Sequence, residues 1–184
     1  TALRLIADLK AELDLLESAL EQKAEQFDDV IKIGRTQLQD AVPIRLGQEF
    51  HAYAQAVKRD SERLERAAEE LCSVNIGGTA VGTALNASPR YLAGIAKTLR
   101  QVTGLPVRQA EDLVDATQNL DCFVSVSGAL KACAVNLSKI ANDLRLLSSG
   151  PRAGISEIIL PARQNGSSIM PGKINPVIPE VVNQ

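Results

Sequence analysis

Tryptophan is absent from this sequence, and two tyrosines and three phenylalanines bring the aromatic share to only 3%. Stacking on bases or sugar rings is therefore not the expected mode of recognition. Histidine occurs once, as His51, and a lone imidazole inside an amphipathic helix builds no metal cluster. Without a paired His/Cys/Asp constellation, a Ser-His-Asp triad or a zinc hydrolase centre would need residues from outside the chain. The three cysteines, Cys72, Cys122 and Cys133, are odd in number, lack metal-ligand spacing and each sit in a segment of helical apolar periodicity. They read as buried free thiols of a reducing compartment, and neither a metal nor a cofactor is expected. The stretch GGTAVGT, Gly77 to Thr83, lacks the lysine and the spacing of a phosphate-binding P-loop.

Excess charge of either sign is lacking too. Twenty Lys and Arg stand against 22 Asp and Glu, a formal charge of −2, which leaves no field to draw nucleic acid or a membrane surface. The charges are mixed in sign within EQKAEQFDD and KRDSERLERAAEE, as on solvated helix faces. No apolar run approaches the length of a membrane span, and no basic-then-apolar leader opens the sequence. A soluble, cytoplasmic protein is expected. Thr1 enters an amphipathic helix directly and Gln184 follows soon after a new helix opens at Pro176, which reads as an excerpt of a longer chain.

Long helical seams are what the sequence does contain. Apolar residues at Ile6, Leu9, Leu13, Leu16, Leu20 and Phe27 lie three or four apart except at Lys23, and predict a helix roughly 40 Å long. A second seam runs through Phe50, Tyr53, Val57, Leu64 and Leu71, and a third through Phe123, Val126, Leu130, Cys133, Leu137, Ile140, Leu144 and Leu147. Helices of this length cannot bury their seams alone and must pack on one another or on further copies of the chain. No period-two strand pattern of useful length is present, so the expected fold class is all-α, a bundle of long helices. Polar, glycine-bearing connections separate the seams at Lys32–Gln48, Asn75–Pro89 and about Ser148–Asn175. A shorter helix should end near Gly104.

The last connection ends in GSSIMPGKINPVIP, Gly166 to Pro179, followed by Glu180. Gly166 and Gly172 permit backbone conformations that present two serines with their N–H groups free. Lys173 adds a point charge suited to a carboxylate. Asn175 followed by Pro176 reads as an N-cap and first helical position, turning the positive end of a new helix toward the loop. These features converge on an anion site in which a serine could act as base and N–H groups stabilise an oxyanion. A bare Gly/Ser/Pro connector is the competing reading. The same alternative holds for GRTQLQDA, where Arg35, Thr36, Gln37 and Asp40 could be turn and capping residues only.

Gly166, Ser167, Ser168, Met170, Lys173, Asn175 and Glu180 resemble the signature loop of the aspartase/fumarase superfamily of lyases. GRTQLQDAVPIRLGQEF, GGTAVGTALN and LRLLSSGPRAGISEI are similar to the same superfamily, so the resemblance spans nearly the whole chain. It implies a small dicarboxylate substrate and Ser167 as the general base that removes a proton next to a carboxylate. N–H groups around Ser167 and Ser168 would hold the aci-carboxylate intermediate, Lys173 and Asn175 would bind a substrate carboxylate, and Thr36 would touch the other carboxylate from a different subunit. Fumarases of this type carry His where this chain has Gln37, pairing through the acidic residue matched by Glu180. Gln37 resembles the aspartase branch instead, which implies elimination of ammonia from L-aspartate to give fumarate. The alternatives are a fumarase acting on fumarate and L-malate, or a catalytically inert helical oligomerisation module. The resemblance further implies a homotetramer sharing a core of helices, with residues 1–184 as its central helical-bundle domain and the signature loop at about 150–175.

Overall fold

The structure is a computed structural model that describes residues 1–166 and 168–184. It divides into two units, Thr1–Lys131 and Ala132–Gln184. Helices dominate, in agreement with the fold class expected from the seams.

In the first unit, α1 (Ala2–Gln26) and α2 (Leu46–Glu70) form an antiparallel pair. Their polar contacts run in opposite chain directions, from Lys10–Glu65 (3.7 Å) through Asp14–Ser61 (2.8 Å) to Glu21–His51 (2.9 Å). The seams meet between them: Ile6, Leu13 and Leu20 are buried against α2, where Ala54, Val57 and Leu64 reach 0% exposure. Phe27 meets the edge of Phe50 with ring centroids 5.4 Å apart, and Phe50 in turn meets Tyr53. One residue of the charged run departs from the solvated-face reading. Asp60 is fully buried and is held by Arg63 one turn on, because it falls on the α1-facing side between Val57 and Leu64. His51 supplies the main hydrogen bond to Glu21 and draws that carboxyl below its ordinary value of 4.5.

Between α1 and α2 the connection is a β-hairpin, β1 (Ile31–Thr36) with β2 (Gln39–Arg45). The sequence pattern concealed it for physical reasons. Almost every β2 residue faces solvent, so no buried face imposes a period of two. Gly34 lies at a register shift between Ile33 and Arg35, and Pro43 pairs with Ile33, placing a bulge and a proline where strand signals are weakest. The hairpin is tied down at its base, where Lys32 meets Glu49 at 3.0 Å and Arg45 meets Asp28 at 3.0 Å. The Gln48 side chain also accepts the Arg45 N–H at 3.1 Å, as in the returning half of a capping box.

The rest of this unit is lighter. A two-residue parallel bridge joins β3 (Ser73–Val74) to β4 (Arg108–Gln109). The shorter helix α3 (Pro89–Thr103) starts at Ser88, whose hydroxyl accepts the Tyr91 N–H, and stops at Gly104 with φ 70°, the left-handed cap that glycine takes most easily. The short α4 (Asp115–Gln118) follows, and then α5 (Asp121–Leu147), whose residues from Ala132 on belong to the second unit. On α5 the third seam is only partly covered: Val126, Cys133, Ile140 and Leu147 are buried, whereas Phe123 and Leu130 are exposed. Cys72 and Cys133 are buried free thiols, but Cys122 is only half-buried, one residue off the seam.

In the second unit an extended loop leads to α6 (Val177–Asn183). The loop folds back on the end of α5, with the Glu157 N–H donating to Leu147 O at 2.8 Å and Ser156 N–H to Ser149 O at 2.8 Å. No helix among the described residues is long and apolar enough to cross a membrane.

Candidate active site

Thr36 and Gln37 lie at the tip of the β1–β2 hairpin. Thr36 pairs with Gln39 across a two-residue turn, and both central residues have positive φ, 51° at Gln37 and 62° at Leu38. Such turns match the twist of a hairpin but suit Asn and Gly, so two longer side chains there store roughly 1–3 kcal/mol of strain each. Strain of this kind persists only where surrounding structure enforces it. Arg35 and Asp40 flank the turn at 3.9 Å. Thr36 and Gln37 are both exposed.

Ser168, Lys173, Asn175 and Glu180 belong to the second unit; Ser167 lies outside the described residues. Gly166 is packed so closely that a Cβ would overlap the Lys173 carbonyl oxygen and stand 3.2 Å from its carbonyl carbon. Only glycine lets the two ends of the loop meet in this way. Between them the Lys173 N–H donates to Met170 O at 3.1 Å and Gly172 takes φ 86°. Gly166 and Asn175 also line an open recess of about 270 Å³ together with Gln164, Asn165 and Val177. The structure thus brings Gly166, Lys173 and Asn175 together. Ser168 and Lys173 are exposed.

Asn175 is not the helix cap expected from the sequence. The N-cap is Pro176, with ψ 67° and no side-chain capping bond, and α6 begins at Val177. A residue before proline is pushed out of the helical region, so Asn175 stays in the loop, where its carbonyl accepts the Val177 N–H at 2.9 Å. Pro179 then fits in the first turn, where a missing N–H costs nothing.

Glu180 meets Arg145 of α5, Nη2 to Oε2, at 2.8 Å. Arg145 is not among the residues singled out from the sequence; Ser138, Asn142 and Arg145 lie four and three apart on α5 and so share one face of it. Among the described residues no group of three or more His, Cys, Asp or Glu could hold a metal ion.

Known proteins share the sequence pattern and the fold of this chain. The sequence pattern of the lyase family matches residues 1–184. The chain is 56% identical over 184 residues to an aspartate ammonia-lyase of Bacillus subtilis (strain 168), covering 100% of the chain and 39% of that protein. It is 55% identical over 172 residues to that of Escherichia coli (strain K12), covering 94% of the chain and 36% of that protein. A fumarate lyase:delta crystallin from Brucella melitensis, crystallised bound to cobalt, superposes with a TM-score of 0.94 at 54% identity over 98% of the chain and 40% of its own. A class II fumarase from Schistosoma mansoni does so with a TM-score of 0.90 at 36% identity, over 95% of the chain and 40% of its own. The chain therefore spans about two fifths of the length of the relatives it matches. With the family pattern running from end to end and the fold of solved relatives reproduced over almost every residue, the chain belongs to the lyase family of the aspartase/fumarase superfamily.

Proposed function

We propose that residues 1–184 are the central helical-bundle segment of an aspartate ammonia-lyase, a carbon–nitrogen lyase that converts L-aspartate to fumarate and ammonia. Ser167 takes the proton from the carbon next to a carboxylate. The electrons of that C–H bond pass into the carboxylate, giving a doubly charged aci-carboxylate held by N–H groups around Ser168. As it collapses, the C–N bond breaks, nitrogen leaves with its electron pair, and the new double bond is that of fumarate. Lys173 and Asn175 bind one substrate carboxylate, Thr36 touches the other from a different subunit with Gln37 beside it, and Glu180 supports the site from α6. The observation that carries this reading is the loop closed by Gly166 against Lys173, in a chain whose relatives at 55–62% identity are named aspartate ammonia-lyases. Exposure of Phe123, Val124 and Leu130 on α5 supports burial of that helix against further copies, in a cytoplasmic homotetramer with the site assembled between chains.

The test is an absorbance assay of the full-length protein for fumarate formed from L-aspartate and, separately, from L-malate. Activity on aspartate alone is expected. Activity on malate alone would make it a fumarase, and activity on neither would favour a different lyase or a helical assembly module. Ser167→Ala in the same protein should lower turnover on the order of 10²–10⁴-fold with the assembly intact, and an unchanged rate removes Ser167 from its role.

A further inference from the structure

We propose, resting on the reading above, that Arg145 is a positioning residue which, with Asn142 and Ser138, clasps α6 and thereby fixes where the signature loop holds Lys173 and Asn175. Ser138, Asn142 and Arg145 follow one another at intervals of four and three along α5, so they share a face. Glu180 and Asn183 are three apart on α6 and share a face in the same way.

The two faces are joined by one continuous network. Arg145 Nη2 meets Glu180 Oε2 at 2.8 Å, and Arg145 Nη1 donates to Asn142 Oδ1 at 3.2 Å. The same Asn142 oxygen accepts from Asn183 Nδ2 at 3.0 Å. Ser138 Oγ closes the network by donating to Asn183 Oδ1 at 2.8 Å. Asn183 therefore donates on one side and accepts on the other, which fixes the orientation of its amide.

This network matters because no residue of Val177–Asn183 is buried, so polar contacts with defined geometry, not apolar packing, set the register of this stretch on α5. Only Pro176 separates α6 from Asn175, and Lys173 is two residues further back, so a slip of α6 carries directly into the recess lined by Gly166 and Asn175. Arg145 suits the task because its planar fork reaches two acceptors, Glu180 and Asn142, at once.

The experiment uses the full-length protein with Arg145→Gln, Arg145→Lys, Glu180→Gln and the double Arg145→Gln/Glu180→Gln. Arg145→Gln should raise KM for L-aspartate about tenfold, as expected for loss of a charge-assisted contact that places the carboxylate-binding groups. Arg145→Lys, which keeps the charge but not the fork, should restore only part of that loss. The double variant should be little worse than the worse single one, because both changes break the same contact. Backbone amide exchange across Val177–Asn183 should quicken in Arg145→Gln and slow again in Arg145→Lys. Ser138→Ala, which takes only one bond from the network, should quicken it too and keeps the test available if Arg145→Gln does not assemble. Exchange at α6 unchanged in both variants overturns the proposal, as do single-variant losses in KM that multiply. If the protein proves inactive on L-aspartate, the functional reading fails while exchange at α6 still decides whether the clasp exists.

Discussion

Gly166→Ala, made in the full-length protein, probes the closed loop with a single methyl group. That methyl has no room: it would overlap the Lys173 carbonyl oxygen, and the Lys173 carbonyl carbon and amide nitrogen stand 3.2 and 3.6 Å from it. The obstacle is backbone, which cannot rotate aside as a side chain can. Restoring ordinary contact requires the two ends of the loop to part by about 1 Å, a misplacement that costs on the order of 10²-fold in rate when reacting groups are held by proximity. This corresponds to about 2.7 kcal/mol of barrier. The loss sits at the lower edge of what removal of a general base costs, since the base itself remains and only its surroundings move. Gly166 is exposed and outside any helix, so the melting temperature and the oligomeric state should stay as in the parent. Fumarate release from L-aspartate, followed by absorbance, is the assay. Turnover within threefold of the parent would refute the reasoning, because it would mean that closure of Gly166 on Lys173 does not set the site.

Three further outcomes are expected in the same protein. Leu64→Ala empties a fully buried position between α1 and α2 and should cost about 2–5 kcal/mol, read as a drop in the denaturation midpoint. Arg63→Ala takes a cation from the fully buried Asp60 and should cost about 3 kcal/mol, whereas Arg45→Ala, which breaks a half-exposed pair with Asp28, should cost under about 1 kcal/mol. Glu21, held by His51 below its ordinary 4.5, binds its proton less readily folded than unfolded. Its contribution is therefore full above that ordinary value and is lost as pH falls through the lowered folded value. Glu21→Gln should remove this acid-side loss, seen as a flatter dependence of the melting temperature on pH in that range.

How far the sequence revealed these features depended on whether burial imposed a period. The α1 and α2 seams were legible because Leu13, Leu20, Val57 and Leu64 are buried on one side of each helix. Asp60 broke the rule: its charge marked it as surface, while its place three residues after Val57 put it inside. The hairpin stayed hidden because its strands bury neither face fully. In the signature loop, residue types alone singled out Gly166, Lys173 and Asn175 as candidates, with a Gly/Ser/Pro connector as the competing reading. Local rules failed at Asn175, where proline after asparagine delayed the helix instead of starting it. Arg145 and Glu180 are 35 positions apart in sequence (180 minus 145), and no local pattern reports a pair so separated.

Both candidate site segments follow one physical arrangement, a backbone geometry that favours glycine, with polar contacts at its base. At the hairpin tip Gln37 and Leu38 take positive φ, and Lys32–Glu49 with Arg45–Asp28 secure the strands below them. In the signature loop Gly166 meets Lys173 too closely for any side chain, and Arg145 pairs with Glu180 on the helix that follows. Apolar burial would serve poorly for these anchors, because it is nondirectional and tolerates sliding along a helix. Ion pairs and shared amide hydrogen bonds lose their geometry within about 1 Å of displacement. They therefore set register more sharply than they add stability, and the roles proposed for Ser167 as base and Lys173 as carboxylate ligand call for register first.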